Sequence, residues 1–260
     1  MTPKRIMAIV NQKGGVGKTT TAINLAASLA ELEQRVLLID MDPQGNASTG
    51  LGVPRDDRSK SSYHILTDGL SLDDAIRPTQ VRGLYILPSH PDLAAAEMEI
   101  GTSDGRTRLL NAAVIEAEAG FDYVLIDCPP SLNLLTLNAL AAARSIVVPL
   151  QCEFFALEGL SQLLKTVEMA KSSINPKLAI DGVVLTMYDK RNRLSAQVAD
   201  DVRRHLGRAV FETVIPRNVR IAEAPSFSEP VTTYDPSSQG SKAYRRLARE
   251  ILRKHAQRKS

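Results

Sequence analysis

The residues best suited to chemistry lie in one run, Lys13-Gly14-Gly15-Val16-Gly17-Lys18-Thr19-Thr20, with carboxylates further along at Asp40, Asp42 and Asp127. Glycines at this density let the backbone fold back and aim successive N–H groups at one point, which makes an anion cradle. Lys18 can reach the β- and γ-phosphates of a nucleotide there, and the Thr19 hydroxyl can ligate Mg²⁺. The strict G-x-x-x-x-G-K-[ST] pattern is not met, because its first glycine would fall on Gln12. A second lysine, Lys13, stands inside the loop instead, where a cation calls for an anionic partner.

The elements around this run are those it needs. Ile6 to Val10 is an apolar run that reads as a buried strand, and Ala22, Leu25, Ala26 and Leu29 have helical spacing behind it. A helix starting at the loop points its positive dipole end at the bound anion. Further along, strands are expected at Arg35–Asp40, Leu84–Leu87, Phe121–Asp127, Ser145–Leu150, Leu178–Met187 and Val210–Ile215. Helices are expected at 92–100, 106–119, 132–143, 156–173, 194–206 and from about Ser241 to near residue 258, with two short turns over 63–76 capped at Ser71. Residues 45–60 and 225–240 read as loops. Alternating strands and helices predict an α/β fold, a mainly parallel sheet with helices on both faces. One domain over residues 1–260 is the simplest account. Ligands then belong at the carboxyl ends of the strands.

Asp127 ends an apolar strand, the place from which a carboxylate holds the hydration shell of Mg²⁺ in phosphate-loop nucleotidases. Asp40 and Asp42 are read as facing opposite sides, so that only one meets the γ-phosphate. Asp42, nearer the loop, is assigned to orient or deprotonate the attacking water. Asp40 is left to support the magnesium site or the hydrogen bonds of the loop.

Composition bounds the rest. A hydrophobic fraction of 43% suits a globular core, and with no Trp and few aromatics that core must be aliphatic. No apolar run approaches the roughly 20 residues of a membrane span, and the N-terminus lacks a signal-peptide pattern. Cys128 and Cys152 have neither disulfide-scaffold nor metal-ligand spacing and are expected to be buried structural thiols. His64, His90, His205 and His255 show no ligand spacing either. These features point to a cytoplasmic protein. The net charge of +3 is unevenly placed, with eight Lys or Arg against one acidic residue, Glu250, from Lys242 onward.

KGGVGKTT at 13–20, DMDPQGN at 40–46, DYVLIDCPPS at 122–131 and IPRNVRIAEAPSF at 215–227 together resemble the ParA/Soj group of chromosome- and plasmid-partition ATPases. The resemblance runs over about residues 4–254, and Gln12 belongs to this group's usual pattern. The loop and Asp strand alone indicate only the wider deviant-Walker class; the 215–227 segment narrows it.

The resemblance implies ATP and Mg²⁺ as ligands and a homodimer whose subunits pair face to face across the nucleotides. Lys13 would reach the partner's phosphates, in the manner of an arginine finger. Asp42 would be the hydrolytic residue, Thr19 and Asp127 would serve the magnesium, and Pro216 and Asn218 would meet the adenine. It further implies nonspecific binding of double-stranded DNA through Arg191 and Arg220, release on stimulation by a ParB-like partner, and a nucleoid-associated location. No helix-turn-helix precedes the first strand, so DNA contacts are expected on the body. The basic face of the last helix (Lys242, Arg245, Arg246, Arg249, Arg253, Lys254) is added from composition. Two other readings compete. A membrane-positioning ATPase of the MinD kind needs a C-terminal helix with bulky apolar residues, whereas this one has a narrow stripe and a polar tail. A metabolic enzyme on the same loop, such as a synthetase or the nitrogenase iron protein, is the third; the latter needs cluster cysteines.

Overall fold

The structure, a computed structural model, describes residues 5–102, 105–116 and 120–257. In chain order its elements are β1 (Arg5–Ile9), α1 (Lys18–Ala30), β2 (Val36–Asp40), α2 (Asn46–Gly50), α3 (Ser62–Thr67), α4 (Leu72–Ala75), β3 (Arg77–Pro78), β4 (Leu84–Leu87), α5 (Ala96–Ile100) and α6 (Leu109–Glu116). There follow β5 (Tyr123–Asp127), α7 (Leu134–Ala142), β6 (Ser145–Gln151), α8 (Ala156–Ser173), β7 (Ala179–Tyr188), α9 (Arg193–Leu206), β8 (Val210–Pro216), α10 (Val219–Glu223), α11 (Val231–Tyr234) and α12 (Gln239–Gln257).

The strands form one eight-stranded sheet in the order β3-β4-β2-β5-β1-β6-β7-β8, parallel except for the two-residue edge strand β3. Side chains alternate along each strand, so the sheet feeds two cores. Ile6, Ala8, Leu37 and Ile39 join the core under α6, α7, α8 and α9. Met7, Ile9, Val36 and Leu38 join the opposite core, closed by α1 and α12. The strands are buried on both faces, which is why they read as continuous aliphatic runs. β1 lies between β5 and β6, and its register with β5 sets Ile9 beside Asp127, while that of β2 with β5 sets Asp40 beside Asp127. Three strand ends and the loop that follows β1 are thus brought level at one edge of the sheet.

Three expectations need correction. Residues 45–60 are not plain loop: α2 and a 3-10 turn at Arg55–Asp57 lie there. The Asn-Ala-Ser-Thr-Gly sequence of α2 has poor helix propensity, and Ala47, Ser48 and Gly50 are buried, so tertiary packing holds the turn. Residues 225–240 contain a 3-10 turn at Ala224–Phe227 and α11, and α10 precedes them, each opened by Pro or an Asn cap. Ser71 occupies the N-cap position of α4, but its side chain makes no capping hydrogen bond. The end of the expected 106–119 helix and the last residues of the chain lie outside the described residues. Helix α12 starts two residues earlier than expected, and its apolar stripe, Ala243, Tyr244, Leu247, Ala248 and Ile251, is buried against the sheet. Among the described residues, no helix is long and apolar enough to cross a membrane.

Candidate nucleotide site

The loop between β1 and α1 is pinned at both ends. Asn11 donates to the Pro149 carbonyl (2.7 Å) and accepts from the Lys13 amide (3.0 Å). Gln12, in the place of the missing glycine, donates to Thr166 of α8 at 2.9 Å. Thr186 of β7 donates to the Val16 carbonyl at 2.8 Å. Gly17 caps α1 with φ +88°, a left-handed conformation that disfavours any other residue. A Cβ at Gly14 or Gly15 would meet nothing within 4 Å, so both glycines border open space.

The two lysines differ in disposition. Lys18 is buried and folds back over the loop, its ammonium donating to the Lys13 carbonyl at 3.1 Å. Burial lowers its pKa, and the charges of Asp127 and Asp42 oppose that shift. Lys13 projects from the rim, where it pairs with Glu153 at 2.7 Å. Sequence reasoning missed Glu153, because it lies 140 positions away and is brought in by the β6–α8 junction.

The carboxylates gather behind the loop. Asp127 is fully buried, and neither of its carboxylate oxygens has a hydrogen-bond partner among the described residues. Burial pushes its pKa well above the usual range, Asp40 and Asp42 add to this, and Thr19 and Lys18 act in the opposite sense. Asp40 is equally buried but fully engaged: it accepts from the Ser48 amide (2.8 Å) and hydroxyl (2.7 Å) and from the Asp42 amide (3.2 Å). Burial raises its carboxyl to about 6 despite these bonds.

The expected opposition of Asp40 and Asp42 is incorrect in its reason. Positions two apart on a continuing strand share a face. β2 stops at Asp40, and Asp42 opens a turn closed by Gly45 N–H donating to the Asp42 carbonyl at 2.8 Å. Asp42 accepts from the Gln44 amide at 3.0 Å, and Ser89 donates to its carbonyl at 2.6 Å. The hydrogen bonds of Asp40 go to Ser48 and the Asp42 amide, in the turn after β2 and not in the phosphate loop. Ser48 and Ser89 carried no motif and were not anticipated.

A cavity of about 260 Å³ opens beside the loop, lined by Gly17, Thr20, Thr186, Pro216, Asn218 and Tyr244 among others. Its walls are mainly apolar, as a base pocket requires. Pro216 and Asn218 reach it from the end of β8, 200 positions beyond the loop. The Asn218 side-chain oxygen caps α10 by accepting from Ile221 N–H (3.3 Å), and its amide donors are left to face a ligand. The buried Tyr244 brings α12 into the wall, which the sequence did not suggest.

Arg191 and Arg220 follow the carboxyl ends of β7 and β8. Both are ion-paired: Arg191 donates twice to Asp189 (3.1 and 3.0 Å), and Arg220 meets Glu223 (2.9 Å) and Asp235 (3.4 Å). On the basic face of α12, Arg245 is tied to Glu31 (2.6 Å), and Lys254 donates to the Asp181 carbonyl. Arg246, Arg249 and Arg253 line a groove against β8. Cys128 and Cys152 are buried as expected, and burial pushes both thiols up, that of Cys152 to about 11.

Fit to a magnesium nucleotide can be judged from the donors. Among the described residues no three His, Cys, Asp or Glu side chains form a closed metal cage. Mg²⁺ keeps several waters and uses one or two carboxylates plus substrate phosphates. A buried carboxylate with unmet acceptors, beside a threonine hydroxyl and an open anion cradle, suits that ion.

Comparison with known proteins places the chain among relatives. A family model described as an AAA domain matches residues 4–180. The chromosome partitioning protein ParA of Caulobacter vibrioides is 55% identical over 99% of this chain and 97% of its own. The sporulation initiation inhibitor protein Soj of Bacillus subtilis is 49% identical, covering 95% of this chain and 98% of its own. Among solved structures, cobyrinic acid a,c-diamide synthase from Mycobacterium smegmatis, with bound ADP and magnesium, superposes with a TM-score of 0.84 at 38% identity, over 97% of this chain and 95% of that one. An eight-stranded α/β phosphate-loop fold, matched over nearly its whole length by partition proteins, settles the family: the chain belongs to the ParA/Soj chromosome-partitioning ATPases.

Proposed function

We propose that the chain hydrolyses ATP as a face-to-face dimer and uses the nucleotide to switch its hold on nonspecific double-stranded DNA. The observation that carries this reading is the division of labour between the two loop lysines. Lys18 lies over its own loop, placed to bind the β- and γ-phosphates of a nucleotide in the same subunit. Lys13 extends from the rim on a half-exposed side chain. From there it can leave Glu153 and reach the phosphates held by a second subunit, supplying charge that the first lacks.

In this reading Asp42 accepts a hydrogen bond from the attacking water and orients it in line with the γ-phosphate. Its turn, braced by Ser89 and Gly45, fixes that direction. Thr19 would ligate Mg²⁺ and Asp127 would hold its hydration shell; when bound, the ion supplies charge neutralisation at the phosphates. The apolar cavity at Pro216 takes the base, with the Asn218 amide donating to its edge. Arg191 and Arg220 give DNA contacts by exchanging surface ion pairs, each weak in water, for phosphates. A ParB-like partner accelerates hydrolysis and so resets the cycle, and the protein resides in the cytoplasm on the nucleoid.

Sedimentation with ATP, against duplex DNA and against anionic liposomes over a salt series, tests the reading. ATP-dependent, salt-sensitive pelleting with DNA is expected. Pelleting with liposomes and not with DNA would replace it by the membrane-positioning alternative.

A further inference from the structure

Arg58 is among the largest fully buried side chains of the protein, at 2% exposure, and no catalytic motif includes it. A buried guanidinium is expensive unless its donors are met. Here Nε and both Nη2 donors are met, none of them by a carboxylate. Nη2 donates to the Val53 carbonyl (2.7 Å) and to the Thr49 hydroxyl (2.9 Å), and Nε donates to the Val53 carbonyl (3.3 Å). Thr49 in turn donates to the Gly45 carbonyl at 3.1 Å, and the Gly45 amide donates to the Asp42 carbonyl at 2.8 Å. A continuous chain of donors therefore runs from a buried cation to the turn that presents Asp42. Gly45 also sits against the guanidinium face: a Cβ there would collide with Arg58 Nη1, and its φ of +63° disfavours a side chain as well. On the other side, Asp40, Ser48 and Ser89 hold the same turn through Ser48 N–H and O–H to Asp40 and Ser89 O–H to the Asp42 carbonyl.

We propose that Arg58 is a positioning residue for hydrolysis, acting through Thr49 and Gly45 to fix the turn that carries Asp42. This rests on the reading of Asp42 as the residue that orients water. A hydrogen bond to a charged donor is stronger and more directional than a neutral one, so a guanidinium holds the Thr49 hydroxyl in the rotamer that braces Gly45. Lysine, a point donor on a flexible stem, cannot serve Val53 and Thr49 in the same fork. The nucleotide cradle is built by other residues, so binding should be spared.

The test compares Arg58→Lys and Thr49→Val with wild type and with Asp42→Ala, measuring steady-state ATP turnover, equilibrium ATP affinity and ATP-dependent dimerisation. Loss of about tenfold in kcat with nucleotide affinity unchanged within about twofold is expected for both variants. Thr49 is exposed and the change removes only its hydroxyl, so Thr49→Val remains informative should Arg58→Lys fold poorly. In the Asp42→Ala background, neither substitution should lower the residual rate further, because all act through one group. Turnover unchanged in both variants, loss that follows melting temperature, or additive loss in the Asp42→Ala background would each overturn the role of Arg58. Normal turnover of Asp42→Ala alone would instead overturn the reading of Asp42.

Discussion

The ammonium of Lys13 lies 2.7 Å from the carboxylate of Glu153, with the two side chains 44% and 45% exposed. Gln151 donates to the other oxygen of the same carboxylate. A pair this open contributes roughly 0–1 kcal/mol, so it holds Lys13 lightly within its own subunit. Glu153→Gln should leave stability within about 1 kcal/mol and shift ATP-dependent dimerisation to lower protein concentration, read by analytical ultracentrifugation. Unchanged dimerisation would show that the pair does not restrain Lys13.

Lys13→Ala should still bind nucleotide, since Lys18 and the loop amides remain. It should lose ATP-dependent dimerisation and most turnover, by on the order of 10³-fold for a charge supplied in trans. Light scattering and phosphate release measure the two. Dimers formed with ATP by the variant would rule out the contact across subunits.

Asp42→Ala should keep ATP-dependent dimerisation and DNA binding while losing hydrolysis by about 10²-fold or more. A filter-binding assay with phosphate release in parallel checks both halves. Because the turn is also braced by Ser89 and Gly45, its fold should survive the change.

Asp127 and Asp40 make the nucleotide-free protein sensitive to pH in a definite sense. Both carboxyls are raised in the folded state, Asp40 to about 6 and Asp127 well above the usual carboxylate range, by burial first. Folded protein therefore binds more protons than unfolded chain above pH 4. Their contribution to stability is fully present below the ordinary carboxylate pKa and is lost as pH rises through about 6 and beyond. For Asp40 alone this amounts to roughly 2 to 3 kcal/mol. Urea denaturation from pH 4 to 8 should show Asp127→Asn losing less stability over that range than wild type, and Mg²⁺ with ATP should narrow the difference. Parallel curves for the two proteins would contradict the assignment of Asp127 as a carboxyl raised by burial.

Arg191→Ala and Arg220→Ala should each lower the slope of log affinity for DNA against log salt, by about 1 for every phosphate contact removed. Side-chain and backbone hydrogen bonds from Arg191 hold the Asp189 carboxyl at about 2, and the variant removes the guanidinium from that carboxylate. The companion Asp189→Asn should strengthen DNA binding where Arg191→Ala weakens it. An unaltered slope in both arginine variants would return them to surface ion pairs.

How far the sequence reached follows from which interactions are local. The phosphate loop, the strand-end Asp127 and helix α8 at 156–173 were legible because glycine spacing, aliphatic runs and 3.6-residue periodicity are properties of neighbouring residues. The same holds for α/β class, since alternation of strands and helices is written along the chain. Helix α2 was not legible, because its five residues have little propensity and are held by burial. Only the tertiary structure decided what meets around the loop: Glu153 against Lys13, Ser48 against Asp40, Tyr244 against the cavity beside the loop, and Arg58 behind the turn of Asp42. Asp40 and Asp127 show the division most plainly. The sequence determined that both are carboxylates ending buried strands, and strand pairing alone set them side by side, one satisfied by Ser48 and the other left with its oxygens open. That difference comes from which distant donors the fold delivers within hydrogen-bond reach, and neighbouring residues carry no trace of it.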